Sequence, residues 1–164
     1  MMTTEQQTDV PLADVKEPKI WHVALLLSLL TILVEVIFYA LESYFGPTES
    51  SSSFISTALP CVVAGMYFGQ KTERLMSRQT RLLSILLWGA VELIVVAGIM
   101  RYFFGLTLAE FTAEFGAVFW WIVAILMPLT LIISYFVFKW GEKMGIKNAV
   151  KAREKQLAKQ QKSE

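Results

Sequence analysis

Between Ile20 and Leu41 the chain runs 22 residues without a charge other than Glu35. At 1.5 Å per residue such a helix is roughly 33 Å long, enough to cross a hydrocarbon core of about 30 Å. A polar head of net −2 precedes it, and the run exceeds the apolar stretch of a signal peptide, so it reads as an uncleaved span. Three further apolar runs follow, at 54–70, 81–104 and 117–138. The second is the shortest, Phe54 to Gly69, and needs polar neighbours such as Gln70 to reach across. The expectation is an all-α membrane protein, a bundle of four transmembrane helices over 20–138. It is flanked by a disordered polar head (1–19) and a basic helical tail (139–164). A composition of 55% hydrophobic and 18% charged residues agrees, since a soluble domain needs more charge to cover its surface.

The segment between the third and fourth runs, Gly105 to Gly116, is too polar to span. Leu108, Phe111 and Phe115 nevertheless fall at helical spacing, and Thr107 with Glu110 fits a capping box. A short amphipathic helix on the outer interface is expected there.

Orientation follows from the basic residues, because positive charge accumulates on the cytoplasmic side. Fourteen of the 15 lie in the head, in the loop carrying Lys71, Arg74, Arg78 and Arg81, or in the tail from Lys139; only Arg101 lies opposite. Both termini are therefore expected in the cytoplasm, in a multi-pass protein of the cell inner membrane. Trp21, Tyr67 and Trp140 fall near the inner boundary, and Tyr44, Tyr102, Trp120 and Trp121 near the outer one, where amphipathic rings concentrate. The tail has net charge +5 and suits either a solvated helix or contact with anionic lipid headgroups.

Ionisable residues inside a span are costly and mark candidate sites. Glu35 lies about 22 Å and Glu92 about 15 Å from the inner ends of their helices. Glu35, Tyr39 and Glu42 share a helix face. Arg101 is placed to pair with Glu42 or Glu35, tying spans one and three together. The alternative is a proton- or cation-coupled site built on Glu35 and Glu92. Thr57, Cys61, Gly65 and Gly69 recur every four residues on span two, a small-residue face for close packing against another span or a second copy. Pro60 and Pro128 each remove a backbone hydrogen bond and kink their spans.

No soluble-enzyme motif is present. One cysteine (Cys61) and one histidine (His22) give no Cys- or His-rich metal site, and a net charge of +1 gives no reason for a nucleic-acid partner. No cofactor and no catalytic residue is expected.

The stretch Val34-Glu35-Val36-Ile37 looks like the glutamate-bearing first helix of small multidrug resistance transporters, which also have four spans. The likeness ends with those four residues, and their later Gly- and Tyr-containing motifs are missing here. A broader pattern covers Phe54 to Lys147. A Pro- and Gly-containing span ends in Gly65-Met66-Tyr67-Phe68-Gly69 before a basic loop, and the last span runs into Lys139-Trp140-Gly141-Glu142-Lys143. It resembles a group of small, uncharacterised four-helix bacterial inner-membrane proteins, which implies the architecture and brings no activity. The leading expectation is a structural or accessory membrane component acting through helix packing and its tail, with a homo-oligomer or another membrane protein as partner. The second is a small transporter or channel subunit.

Overall fold

The computed structural model describes residues 17–46, 52–105 and 107–161. Of the polar head only residues 17–19 fall within this range, so its expected disorder lies outside the described residues. Four helices make up the fold and no strand occurs among the described residues: α1 (Ile20–Phe45), α2 (Ser52–Thr72), α3 (Arg78–Phe104) and α4 (Leu108–Gln160).

Local chemistry accounts for the helix ends. Ser77 caps α3, its hydroxyl accepting from Thr80 N at 3.1 Å. Gly105 closes α3 in the left-handed conformation that glycine adopts without steric cost. Thr107 and Glu110 form the capping box at the start of α4. The Thr107 hydroxyl accepts from Glu110 N at 3.2 Å, and the Glu110 carboxylate accepts from Thr107 N at 2.7 Å. The Thr107 backbone N–H, then its hydroxyl, hold the Glu110 carboxyl below the usual carboxylate range. Residues 108–115 form the helical turn expected before the last span. They join the rest of α4 through Gly116, whose φ of 58° and ψ of −147° break the helical path. Backbone at Pro128 stays helical, so the break in α4 falls at glycine, with both prolines inside continuous helix. Side chains of Leu108, Phe111 and Phe115 lie outside the described residues.

α1, α3 and the part of α4 from Trp120 are long and apolar enough to cross a membrane; α2 is not among them. The lateral faces of these three helices are apolar and exposed, with Leu29, Leu33 and Val36 on α1, Ile94 on α3, and Ile125, Ile132 and Phe136 on α4. Such continuous apolar exposure is unusual on a soluble monomer.

Burial is unevenly distributed along the bundle axis. The core consists of Val23, Ala24 and Leu27 from α1, Cys61, Ala64 and Phe68 from α2, Ile85 and Trp88 from α3, and Phe138 from α4, with Met76 from the α2–α3 connection. All lie toward the end where α1 begins and α2 meets α3. Past Val34 in α1, past Trp88 in α3, and before Ser134 in α4, every described side chain is half-buried or exposed. The bundle is thus tight at the end carrying the α2–α3 connection, called the basic end below, and open toward the other.

The tight end has a specific cause. Gly65 and Gly69 on α2 face Gly141 and Gly145 on α4. A Cβ on Gly65 would strike Phe138 O, one on Gly69 would strike Glu142 O, and one on Gly145 would strike Met66 O. Only hydrogen fits at these positions, so the two backbones come into direct contact and pack by dispersion. The face containing Cys61, Gly65 and Gly69 therefore meets another helix of the same chain, while Thr57, one turn further along, turns toward open space between the helices.

Directly beside the glycine contact lies a buried ion pair. Arg81 and Glu142, 2% and 0% exposed, approach to 2.6 Å. Arg81 Nε also donates to Glu142 Oε2 (2.8 Å), Nη1 to the Tyr135 hydroxyl (3.1 Å) and Nη2 to Met76 O (3.0 Å). The other carboxylate oxygen of Glu142 accepts from Met76 N at 3.0 Å. Arg81 sits over the Tyr135 ring at 5.2 Å. The network fastens the α2–α3 connection and the first turn of α3 onto α4. Glu17 adds a further tie, accepting from Ser77 N at 2.7 Å, and that backbone hydrogen bond holds its carboxyl below the ordinary range. On the outer surface Arg153 pairs with Glu73 at 2.6 Å, so the tail helix leans on the end of α2.

Candidate functional site

Above the tight end the four helices separate around a cavity of about 420 Å³. Its floor is set by Thr31, Trp88 and Leu131, the first two buried and belonging to the last closed layer of the bundle. Its walls are mainly apolar: Leu93 and Val96 from α3, and Ile122, Val123, Leu126 and Met127 from α4. Into this apolar space come two carboxylates, Glu35 from α1 and Glu92 from α3, together with the hydroxyl-bearing Thr31, Thr57 and Thr130.

Helix phase explains why these residues meet. Thr31 and Glu35 are four apart on α1, and Trp88 and Glu92 four apart on α3, so each pair occupies one face and projects to the same side. The two faces oppose each other because α1 packs against α3 at the closed end through Leu27, Ile85 and Trp88. Trp88 Nε1 donates to Glu92 Oε1 at 3.0 Å, which fixes the Glu92 side chain against the floor. The Thr31 hydroxyl is turned back on its own helix and donates to Leu27 O at 3.0 Å.

The remaining candidates are not gathered there. Tyr39 is 75% exposed, and neither it nor Glu42 lines the cavity. Arg101 donates from Nη1 to Gly105 O at 3.1 Å, satisfying a carbonyl at the α3 C-terminus. Among the described residues it forms no ion pair with Glu35 or Glu42, so the expected tie between α1 and α3 is absent there. The described residues hold no group of three potential metal ligands.

Two features of this region escape a reading of the sequence by hydropathy and charge. Trp88 stands four residues before Glu92, the spacing at which an indole N–H reaches a carboxylate on the same helix, and that spacing is the available signal. Arg81 reads only as a loop charge. Its partner Glu142 stands between Gly141 and Gly145, whose spacing repeats that of Gly65 and Gly69. Pairing those two glycine motifs brings Glu142 to the end of α2.

Chemically, the site offers two acids in an apolar cleft, closed at one end and open toward the other. A carboxyl in such surroundings can hold a proton or a cation that the apolar walls would otherwise exclude. No protein-family model matches the chain, and neither a curated protein nor a solved structure matches it.

Proposed function

We propose that this protein is a small multi-pass protein of the inner membrane whose four helices all cross the bilayer, with both termini in the cytoplasm, and that it binds a proton or cation at Glu35 and Glu92 as part of a coupled transport step. The observation that carries the reading is the meeting of the two intramembrane carboxylates in one cavity, with no cationic side chain among its lining residues. A structural ion pair would call for a counter-charge, and Arg101, the natural candidate, is engaged with Gly105 O instead.

The uneven burial also supports a direction of access. The glycine contact and the Arg81–Glu142 network close the basic end, while no described side chain is buried beyond Val34, Trp88 and Ser134 toward the other. With the positive-inside rule fixing orientation, the cavity faces the outside and is sealed from the cytoplasm. Entry from outside, charging of Glu35 or Glu92, and release inward require the closed end to part. Alternating access of this kind moves one group of helices against another around a fixed site.

Proteoliposomes loaded with a pH-sensitive dye supply the test. Under an imposed pH gradient the protein should carry a pH-dependent flux that E35Q and E92Q each reduce at least tenfold, with both variants still inserted and monodisperse. Flux that is absent, or equal in parent and both variants, would sink the coupled-transport reading. The remaining reading is then the accessory component, favoured by the exposed helix at 151–160, which offers Lys151, Lys155 and Lys159 to a partner or a lipid surface.

A further inference from the structure

A second cavity, of about 360 Å³, lies between the start of α1 and the end of α2, at the basic end and far from Glu35 and Glu92. It is lined by the exposed His22 and Lys71 and by an apolar wall of buried Phe68, half-buried Leu26 and exposed Leu25. Lys71 Nζ sits 5.7 Å from the centre of the Tyr67 ring, and the His22 ring lies against Trp21 at 3.7 Å between centroids. Neither His22 nor Lys71 has a carboxylate partner among the described residues. Among the described residues, two acids adjoining the cleft are already committed: Glu17 accepts from Ser77 N and Thr80 Oγ1, and Glu73 pairs with Arg153. The cleft therefore combines an ammonium without a carboxylate partner among the described residues, an imidazole and an apolar trough, on a helical bundle with apolar lateral faces.

We propose that this cleft seats one anionic phospholipid of the adjacent leaflet, its phosphate at Lys71 and His22 and its acyl chain along Leu25, Leu26 and Phe68. Charge complementarity selects the occupant. A lone cationic pocket would suit any phosphate, but the apolar trough continuous with it matches the join between headgroup and chain. Basic pockets between membrane helices bind lipid headgroups on the same grounds. The tail helix, by contrast, presents Lys151, Lys155 and Lys159 on an exposed surface, and attraction there is diffuse. The site rests on the membrane reading above and is independent of transport through Glu35 and Glu92.

Native mass spectrometry of the full chain released from bilayers of equimolar phosphatidylglycerol and phosphatidylcholine tests the site. One phosphatidylglycerol should be retained in preference to phosphatidylcholine. K71Q should weaken that preference about fivefold, from roughly 1 kcal/mol per basic residue near a membrane surface. K71R should preserve it, H22Q should lower it, and K151Q/K155Q in the tail should leave it unchanged. Equal retention of the two lipids would overturn the proposal, as would a loss in K151Q/K155Q equal to that in K71Q. Displacement of the lipid by millimolar inorganic phosphate would also overturn it, marking a site for the free anion.

Discussion

Arg81→Met is expected to lower the thermal stability of the detergent-solubilised protein by about 10 °C or more. Removing one member of a buried ion pair costs about 3–5 kcal/mol, because the other charge stays buried without compensation, and each kcal/mol corresponds to a few degrees in a chain of this length. Glu142 is fully buried and would keep Met76 N as its donor while losing those of the guanidinium. The Tyr135 hydroxyl and Met76 O would lose their bonds from the guanidinium as well. The double substitution R81M/E142Q should recover most of the loss, since glutamine carries no charge and retains an oxygen for Met76 N. Fluorescence-detected size exclusion after heating reads both variants. A fall for R81M no larger than that for a surface change such as R153M would contradict the assigned role of the network. The same pair bears on transport: if the closed end has to part, loosening it with R81M should alter flux while leaving Glu35 and Glu92 untouched.

The second large effect is expected from alanine in the α2–α4 contact. G69A and G145A each place a methyl group into backbone of the facing helix, Glu142 and Met66 respectively, where no flexible side chain can yield. Overpacking of this kind costs about 1–3 kcal/mol and sometimes more, and the helices can accommodate it only by moving apart. Because the two glycines belong to one contact, the double variant should cost less than the summed single losses. Gly98 supplies the control: it lies mid-helix in α3, and a methyl group added there would meet nothing within 4 Å, so G98A should be neutral or stabilise by up to about 1 kcal/mol. Equal responses at Gly69 and Gly98 in the same thermal assay would show that close approach of α2 and α4 contributes nothing.

Helix positions were largely legible in the sequence because the first and third apolar blocks are long and end at glycine, whereas the fourth runs on as helix into the basic tail. The first run, expected to end at Leu41, extends to Phe45, where Gly46 stops it; the third begins three residues early, at the Ser77 cap. The capping box of Thr107 and Glu110 was readable from its spacing alone. What hydropathy could not supply was pairing between helices. Arg101 and Glu42 lie near one boundary and invite an ion pair, yet the free carbonyl at the end of α3 is closer in sequence and takes the guanidinium. Arg81 and Glu142 stand 61 residues apart, and nothing in local periodicity links them. The cavity was half legible: the two glutamates were evident as isolated charges in apolar runs. Their meeting across a cleft floored by Trp88 depended on how far α1 and α3 diverge beyond their closed end.

The four-crossing arrangement underlies both proposals, and α2 is the helix on which it depends, since the other three are apolar enough to span on composition. Its crossing is tested most directly by single cysteines on either side of it, at positions 50 and 78, with buried Cys61 replaced by alanine. In intact cells, a membrane-impermeant maleimide should modify the cysteine at 50 and should reach the one at 78, which is exposed at the start of α3, only after permeabilisation. Modification of both from outside, or protection of both, would mean that α2 does not cross and would contradict the topology.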